Sequence, residues 1–220
     1  DKIYGDDAFD ISVFASSGLP VDLSFVTGED LISLSENEIS ILGTGLVTLQ
    51  ADQAGDGEYA AAVSVQRRFE ISPAVLTVTA ADAEITYGEA IPSLTYTISG
   101  FVNGEDETAL DDNPEISTPA TAESGAGNYA IELSEGTADN YTFLLEEAVL
   151  TIGKADLIIS ALDHEMKYGE TVGNLAYEIA GFITGEDETD LTTLPILTTG
   201  ASSASAVGTY TINVSGAASD

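Results

Sequence analysis

The sequence predicts an all-β protein: tandem Ig-like β-sandwich domains in a linear array, with one short helical turn per repeat. Three observations predict it. First, the chain repeats itself with a fixed period of 81 residues, residues 75–139 and 156–220 aligning without a gap and sharing 27 of 65 positions. Self-similarity at fixed spacing marks a domain array. Second, short apolar-alternating runs recur between Gly, Asn and Asp, at about six or seven strands per repeat, which suits a sandwich. Third, no segment carries a long helical period.

Residues 1–74 form a divergent Ig-like repeat. Tyr4-Gly5 stands where the later repeats have their Tyr-Gly pair, and Phe69-Glu-Ile71-Ser-Pro-Ala74 matches Leu150-Thr-Ile152-Gly-Lys-Ala155. Between them, Ser16-Ser-Gly-Leu-Pro-Val21 and Gly43-Thr-Gly-Leu-Val-Thr-Leu49 replace the acidic segment of the later repeats.

Residues 75–155 form the second repeat. Val75-Leu-Thr-Val-Thr, Leu94-Thr-Tyr96-Thr-Ile98, Tyr129-Ala-Ile-Glu-Leu133, Tyr141-Thr-Phe143 and Ala148-Val-Leu-Thr-Ile152 alternate apolar with polar or small residues, as half-buried strands do. Residues 156–220 form the third repeat, with Leu175-Ala-Tyr177-Glu-Ile179 as the counterpart strand. It reaches Asp220, which aligns with Asp139, so the hairpin read at 140–152 has no counterpart and an open sheet edge is expected there. The junctions Ser72-Pro-Ala74 and Gly153-Lys-Ala155 are too short to act as flexible tethers. Neighbouring repeats should therefore be held in a fixed relation.

One segment departs from strand character. Asn103 or Thr184, followed by Gly-Glu-Asp-Glu-Thr-x-Leu, places a capping residue before consecutive acids, which favour the positive end of a helix. A single helical turn is expected there, closed onto the core by Leu110 or Leu191.

Composition narrows the function classes. There are 38 acidic and 5 basic residues, a net charge of −33, spread as −10, −14 and −9 over the three repeats. Such a surface repels nucleic acid and anionic membrane, since both are bound through Lys and Arg. Apolar residues make up 44% of the chain, enough for packed cores. With no Cys, disulfides and thiol chemistry are excluded. No apolar run is long enough for a spanning helix. The first residue is Asp rather than Met, which reads as a piece of a longer exported protein.

The motifs resemble the bacterial MBG repeat domains of the type named for its Tyr-Gly-x signature. The residues are Tyr87-Gly88-Glu89 and Tyr168-Gly169-Glu170, the 94–104 run Leu-Thr-Tyr-Thr-Ile-Ser-Gly-Phe-Val-Asn-Gly, the closing Asp139-Asn-Tyr-Thr-Phe143, and Leu150-Thr-Ile152. The first repeat, with Gln53-Ala-Gly-Asp-Gly-Glu-Tyr59, is similar to related Ig-like repeats of the same surface proteins. The resemblance implies a stalk or passenger segment of a large adhesin at the bacterial cell surface, and no catalytic residues.

Candidate chemistry is sparse. His164 is the single histidine, so neither a His-based triad nor a zinc centre of the usual kind can be assembled. Paired carboxylates could hydrolyse glycosides, but among 38 acids no pair stands out. Lys2, Lys154 and Lys167 fall at no shared strand position, which argues against isopeptide cross-links. The acids Glu105, Asp106, Glu107, Glu186, Asp187 and Glu188 are candidate Ca²⁺ ligands, because hard cations take oxygen donors. Asp111-Asp112 and Asp52…Asp56-Gly57-Glu58 are weaker candidates. The competing reading makes all of them a solvated coat. In the Tyr-Gly pair, Tyr is expected to supply a ring to the core edge and Gly the positive φ of a turn, the alternative being that the tyrosines stack on carbohydrate.

The expectation is a non-catalytic spacer whose partners are neighbouring repeats of its own chain, needing no cofactor unless Ca²⁺ binds. The alternative is a repeat that itself binds glycan or a surface protein.

Overall fold

A computed structural model describes residues 1–219. It is all-β, and among those residues the only helical pieces are two single 3₁₀ turns, Glu107–Ala109 and Glu188–Asp190. The chain resolves into two compact units. The first holds Asp1–Ala83, Ser93–Pro119 and Tyr129–Leu150, and the second holds Glu84–Pro92, Ala120–Asn128 and the chain from Thr151 onward.

In the first unit, the opening repeat is a two-sheet sandwich. One sheet runs Lys2–Ile3, Val65–Ser72, Gly45–Asp52, Asp22–Thr27, with the short first strand parallel to its neighbour and the others antiparallel. The other runs Phe9–Asp10, Glu38–Ile41, Ile32–Ser35. Alternation turns Val47, Leu49 and Ile71 from the first sheet and Ile32 and Ile39 from the second into one core. Burying each such side chain contributes roughly 1.5–3 kcal/mol. Phe9 and Phe69 meet edge to face at 5.9 Å, and the Lys2 ammonium caps the Phe9 ring at 4.0 Å from its centre.

Pro73 alone separates Val65–Ser72 from the next strand, Ala74–Ala80. That strand is central to the second repeat, antiparallel to Tyr96–Ser99 on one side and parallel to Tyr141–Glu146 on the other. Its burial alternates residue by residue, Leu76 and Val78 being fully buried. Glu115–Ser117 pairs antiparallel with Gly127–Ser134, which contributes the fully buried Ile131.

In the second unit, the third repeat forms two-stranded ladders, Ile158–Ala161 with Tyr177–Ala180 and Ile196–Thr199 with Ile212–Ser215. Leu157 and Ile212, the positions equivalent to Leu76 and Ile131, are only half-buried. Among the described residues, Ile158–Ala161 is paired along one edge, whereas Ala74–Ala80 is paired along both.

The helical turns occur in the expected segments but begin three residues later than expected. Asp106 and Asp187 are the N-caps, each accepting from the backbone N–H two residues on. Asn103 is instead left-handed, with φ of 56°, and together with Gly104 at 76° forms a tight turn that precedes the helix. Positive φ at two successive residues suits Asn-Gly. Leu110 packs on the core as expected.

Candidate functional site

The residues that recur most faithfully between repeats form two kinds of turn, and these turns meet. The first is Tyr-Gly-acid. The backbone N–H of Asp6 donates to Ile3 O at 3.0 Å, that of Glu89 to Thr86 O at 3.0 Å and that of Glu170 to Lys167 O at 3.1 Å, closing the same turn three times. Its glycines sit at φ of 92°, 86° and 89°, at the third turn position, where a type II turn requires φ above zero. The acid returns the favour from its side chain. Asp6 Oδ2 accepts from Ile3 N at 3.0 Å, Glu89 Oε2 from Thr86 N at 2.7 Å and Glu170 Oε2 from Lys167 N at 2.9 Å. The signature Tyr-Gly-x is thus a self-capped turn that holds its tyrosine in a fixed direction.

The second turn is aliphatic-x-Gly-Glu. Glu105 N donates to Val102 O, and Glu186 N to Ile183 O, both at 3.0 Å.

Within the first unit, the opening repeat's Tyr-Gly turn docks on the second repeat's Gly-Glu turn. Tyr4 donates its hydroxyl to Glu105 Oε1 at 2.7 Å, and Tyr141 donates to the other oxygen, Oε2. Tyr141 in turn accepts from Val102 N at 3.1 Å. The Tyr4 and Tyr141 rings are edge to face at 5.6 Å, and Phe101 packs on Tyr141 at the same distance. Tyr4 is 5% exposed and belongs to a core cluster with Ala74, Leu76 and Tyr141. A Cβ on Gly5 would lie 2.5 Å from a Val102 methyl, so only glycine admits this seat. Thr44 completes the contact, its N–H donating to Asn140 Oδ1 at 3.1 Å and its hydroxyl to Asp139 O at 3.0 Å.

Within the second unit the same pair recurs. Tyr87 donates to Glu186 Oε1 at 2.6 Å, and a Cβ on Gly88 would strike Ile183 at 2.6 Å. Tyr87 N also donates to Gly153 O at 2.8 Å, tying the turn to the end of its own repeat. A hydroxyl shared with a carboxylate is a strong, charge-assisted bond.

Electrostatics follow the contacts. Burial, then the bond to Glu105, pushes Tyr141 up to about 12, and the same two causes raise Tyr4. The bond to Glu186 raises Tyr87. Hydrogen bonds from Thr108 and Thr189 lower their caps, Asp106 and Asp187.

The six acids singled out from the sequence are therefore distributed among separate tasks. Glu105 and Glu186 take tyrosine hydroxyls, Asp106 and Asp187 cap the helical turns, and Glu188 accepts from Tyr177. Glu107 opens the first helical turn. Among the described residues, no three carboxylate or histidine groups gather as a metal would need. Asp52 accepts from Gln50 and Ser64, Asp56 from the Glu58 and Tyr59 N–H groups, and Asp112 from Thr137. His164 is exposed and lies over Gly173.

Sequence reasoning placed the tyrosine at its own repeat's core edge and missed that it reaches the neighbour. It also read Tyr141 as a strand residue with no part in this contact, and passed over the Val102 and Ile183 seats. The available signal was the joint recurrence of both motifs, with Tyr4-Gly5 retained even in the divergent repeat.

One further feature is an apolar cleft of about 480 Å³ on the first repeat, lined in part by Phe9, Phe14, Leu23 and Phe69.

A family model described as MBG domain (YGX type) matches residues 76–151 and again 157–220. No curated protein matches the chain.

Proposed function

The chain belongs to the MBG domain family of the YGX type, and from that premise we propose that it is a non-catalytic spacer in a secreted bacterial surface adhesin, carrying a binding domain for attachment, biofilm or gliding. The observation that carries this reading is the double use of one contact: Tyr4 on Glu105 and Tyr87 on Glu186. The Tyr-Gly and Gly-Glu motifs that the repeats share are those that fasten one repeat to the next, and a spacer needs that joint at every junction. The acidity supports the same reading, since evenly spread like charge keeps an exported chain soluble and apart from its neighbours.

The test combines binding and stability. The spacer reading expects no saturable binding to a glycan panel or to immobilised host-surface proteins tighter than about 1 mM. It also expects Tyr87→Phe to lower the melting midpoint. The second reading, a repeat that binds ligand itself, is favoured by the first repeat's apolar cleft. Micromolar binding abolished by Phe14→Ser would establish it and contradict the spacer.

A further inference from the structure

We propose that the Tyr168-Gly169-Glu170 turn is a docking site for one further repeat of the same type, which it grips through the Tyr168 hydroxyl on that repeat's Gly-Glu turn. The proposal rests on the repeat-joining reading above and names the partner that it implies. Tyr168 is 74% exposed, against 5% for Tyr4. The turn beneath it is nonetheless fully formed. Gly169 has φ of 89°, between the 86° of Gly88 and the 92° of Gly5, and Glu170 caps the turn as Glu89 does. Where Val102 crowds Gly5 and Ile183 crowds Gly88, nothing lies within 4 Å of a Cβ built on Gly169. The knob is preset and uncovered.

The fitting occupant follows from the two filled examples. It presents an aliphatic side chain to lie flat on the glycine, as Val102 and Ile183 do, and a glutamate three residues later to accept the hydroxyl. A preset turn loses little freedom on docking, which favours association. A second copy of this chain does not supply that seat, because Glu105 already holds Tyr4 and Tyr141, and Glu186 already holds Tyr87. The first repeat carries other sequence in place of the Gly-Glu-Asp segment.

The experiment extends the full chain by a second copy of residues 140–220, which continues in frame because Asp220 aligns with Asp139. The added residues provide a closing hairpin and another Gly-Glu turn. Tyr168→Phe is expected to leave the midpoint of the present chain unchanged. In the extended chain it should lower the midpoint of the transition involving the third repeat by roughly 2–4 °C, comparable to Tyr87→Phe. Chymotrypsin provides the second readout: cleavage after residue 168 should be rapid in the present chain and at least tenfold slower in the extended one. If Tyr87→Phe shifts the midpoint and Tyr168→Phe shifts neither chain, the proposal is overturned while the repeat-joining reading stands. If Tyr87→Phe is itself silent, both fall. Cleavage at residue 168 that is equally fast in both chains, including through failure of the extension to fold, also overturns the proposal.

Discussion

Tyr87 and Glu186 lie 99 positions apart and meet hydroxyl to carboxylate at 2.6 Å. Within one repeat the same two motifs, Tyr87 and Glu105, are 18 residues apart, yet each pairs with the neighbouring repeat instead. A local pairing would stabilise one repeat alone, whereas this one makes each repeat's stability depend on the next.

The glycine of the signature should show this dependence directly. Gly88 and Gly169 share the same positive φ, but only Gly88 is covered by Ile183. Gly169→Ala is expected to cost about 1 kcal/mol from backbone strain alone. Gly88→Ala adds a steric overlap and should cost about 2–4 kcal/mol. Urea titrations of the two variants would check the difference, and equal costs would contradict it.

Alkaline pH should open the first unit. An unfolded tyrosine ionises near 10, while burial and Glu105 hold Tyr141 neutral up to about 12. The raised value means that this contribution is intact below pH 10 and is lost as pH climbs from 10 through about 12. Tyrosinate absorbance and circular dichroism should change together in that window. Tyr141→Phe should flatten the pH dependence, and a folded-state titration of Tyr141 near 10 would refute the assignment.

The all-β architecture and the helical turn were legible because period and alternation are local properties. Leu76, Val78 and Ile131 are buried where alternation places them. The cap was misplaced from Asn103 to Asp106 because Asn-Gly is both a capping signal and a turn signal, and here the turn prevailed. The clasp was illegible for a different reason. Tyr4 and Glu105 come together only where two repeats abut, and no sequence period reports which face meets which. The same holds for Tyr141, whose part depends on standing beside Tyr4 at 5.6 Å.

Equivalent core positions should differ in cost between repeats. Leu76 is fully buried, so Leu76→Ala should destabilise by about 2–5 kcal/mol. Leu157, its half-buried counterpart, should cost about 1 kcal/mol on the same change. Local hydrogen exchange should likewise show the third repeat opening at lower free energy than the second. Equal exchange protection in the two would contradict this.

Calcium should act on this chain as ionic strength. The net charge of −33 repels itself, and screening relieves that, so the melting midpoint should rise between dilute buffer and 0.5 M NaCl, about five times the ionic strength at which the Debye length is near 10 Å. Glu105, Asp106, Glu186, Asp187 and Glu188 already accept hydrogen bonds from side chains or backbone. Millimolar CaCl₂ should therefore add nothing beyond an NaCl control of matched ionic strength. A further rise that Glu186→Gln removes would restore these acids as a calcium site.

The central claim, that a tyrosine of one repeat and a glutamate of the next hold the repeats together, is tested most directly by a double-mutant cycle on Tyr87 and Glu186. The melting midpoint is measured for the unmodified chain, Tyr87→Phe, Glu186→Ala and the double variant. Each single change should lower the midpoint, and the double change should lower it no further than the larger single one, because both remove one shared bond. Fully additive shifts, or a silent Tyr87→Phe, would show that the two residues stand close without holding anything together.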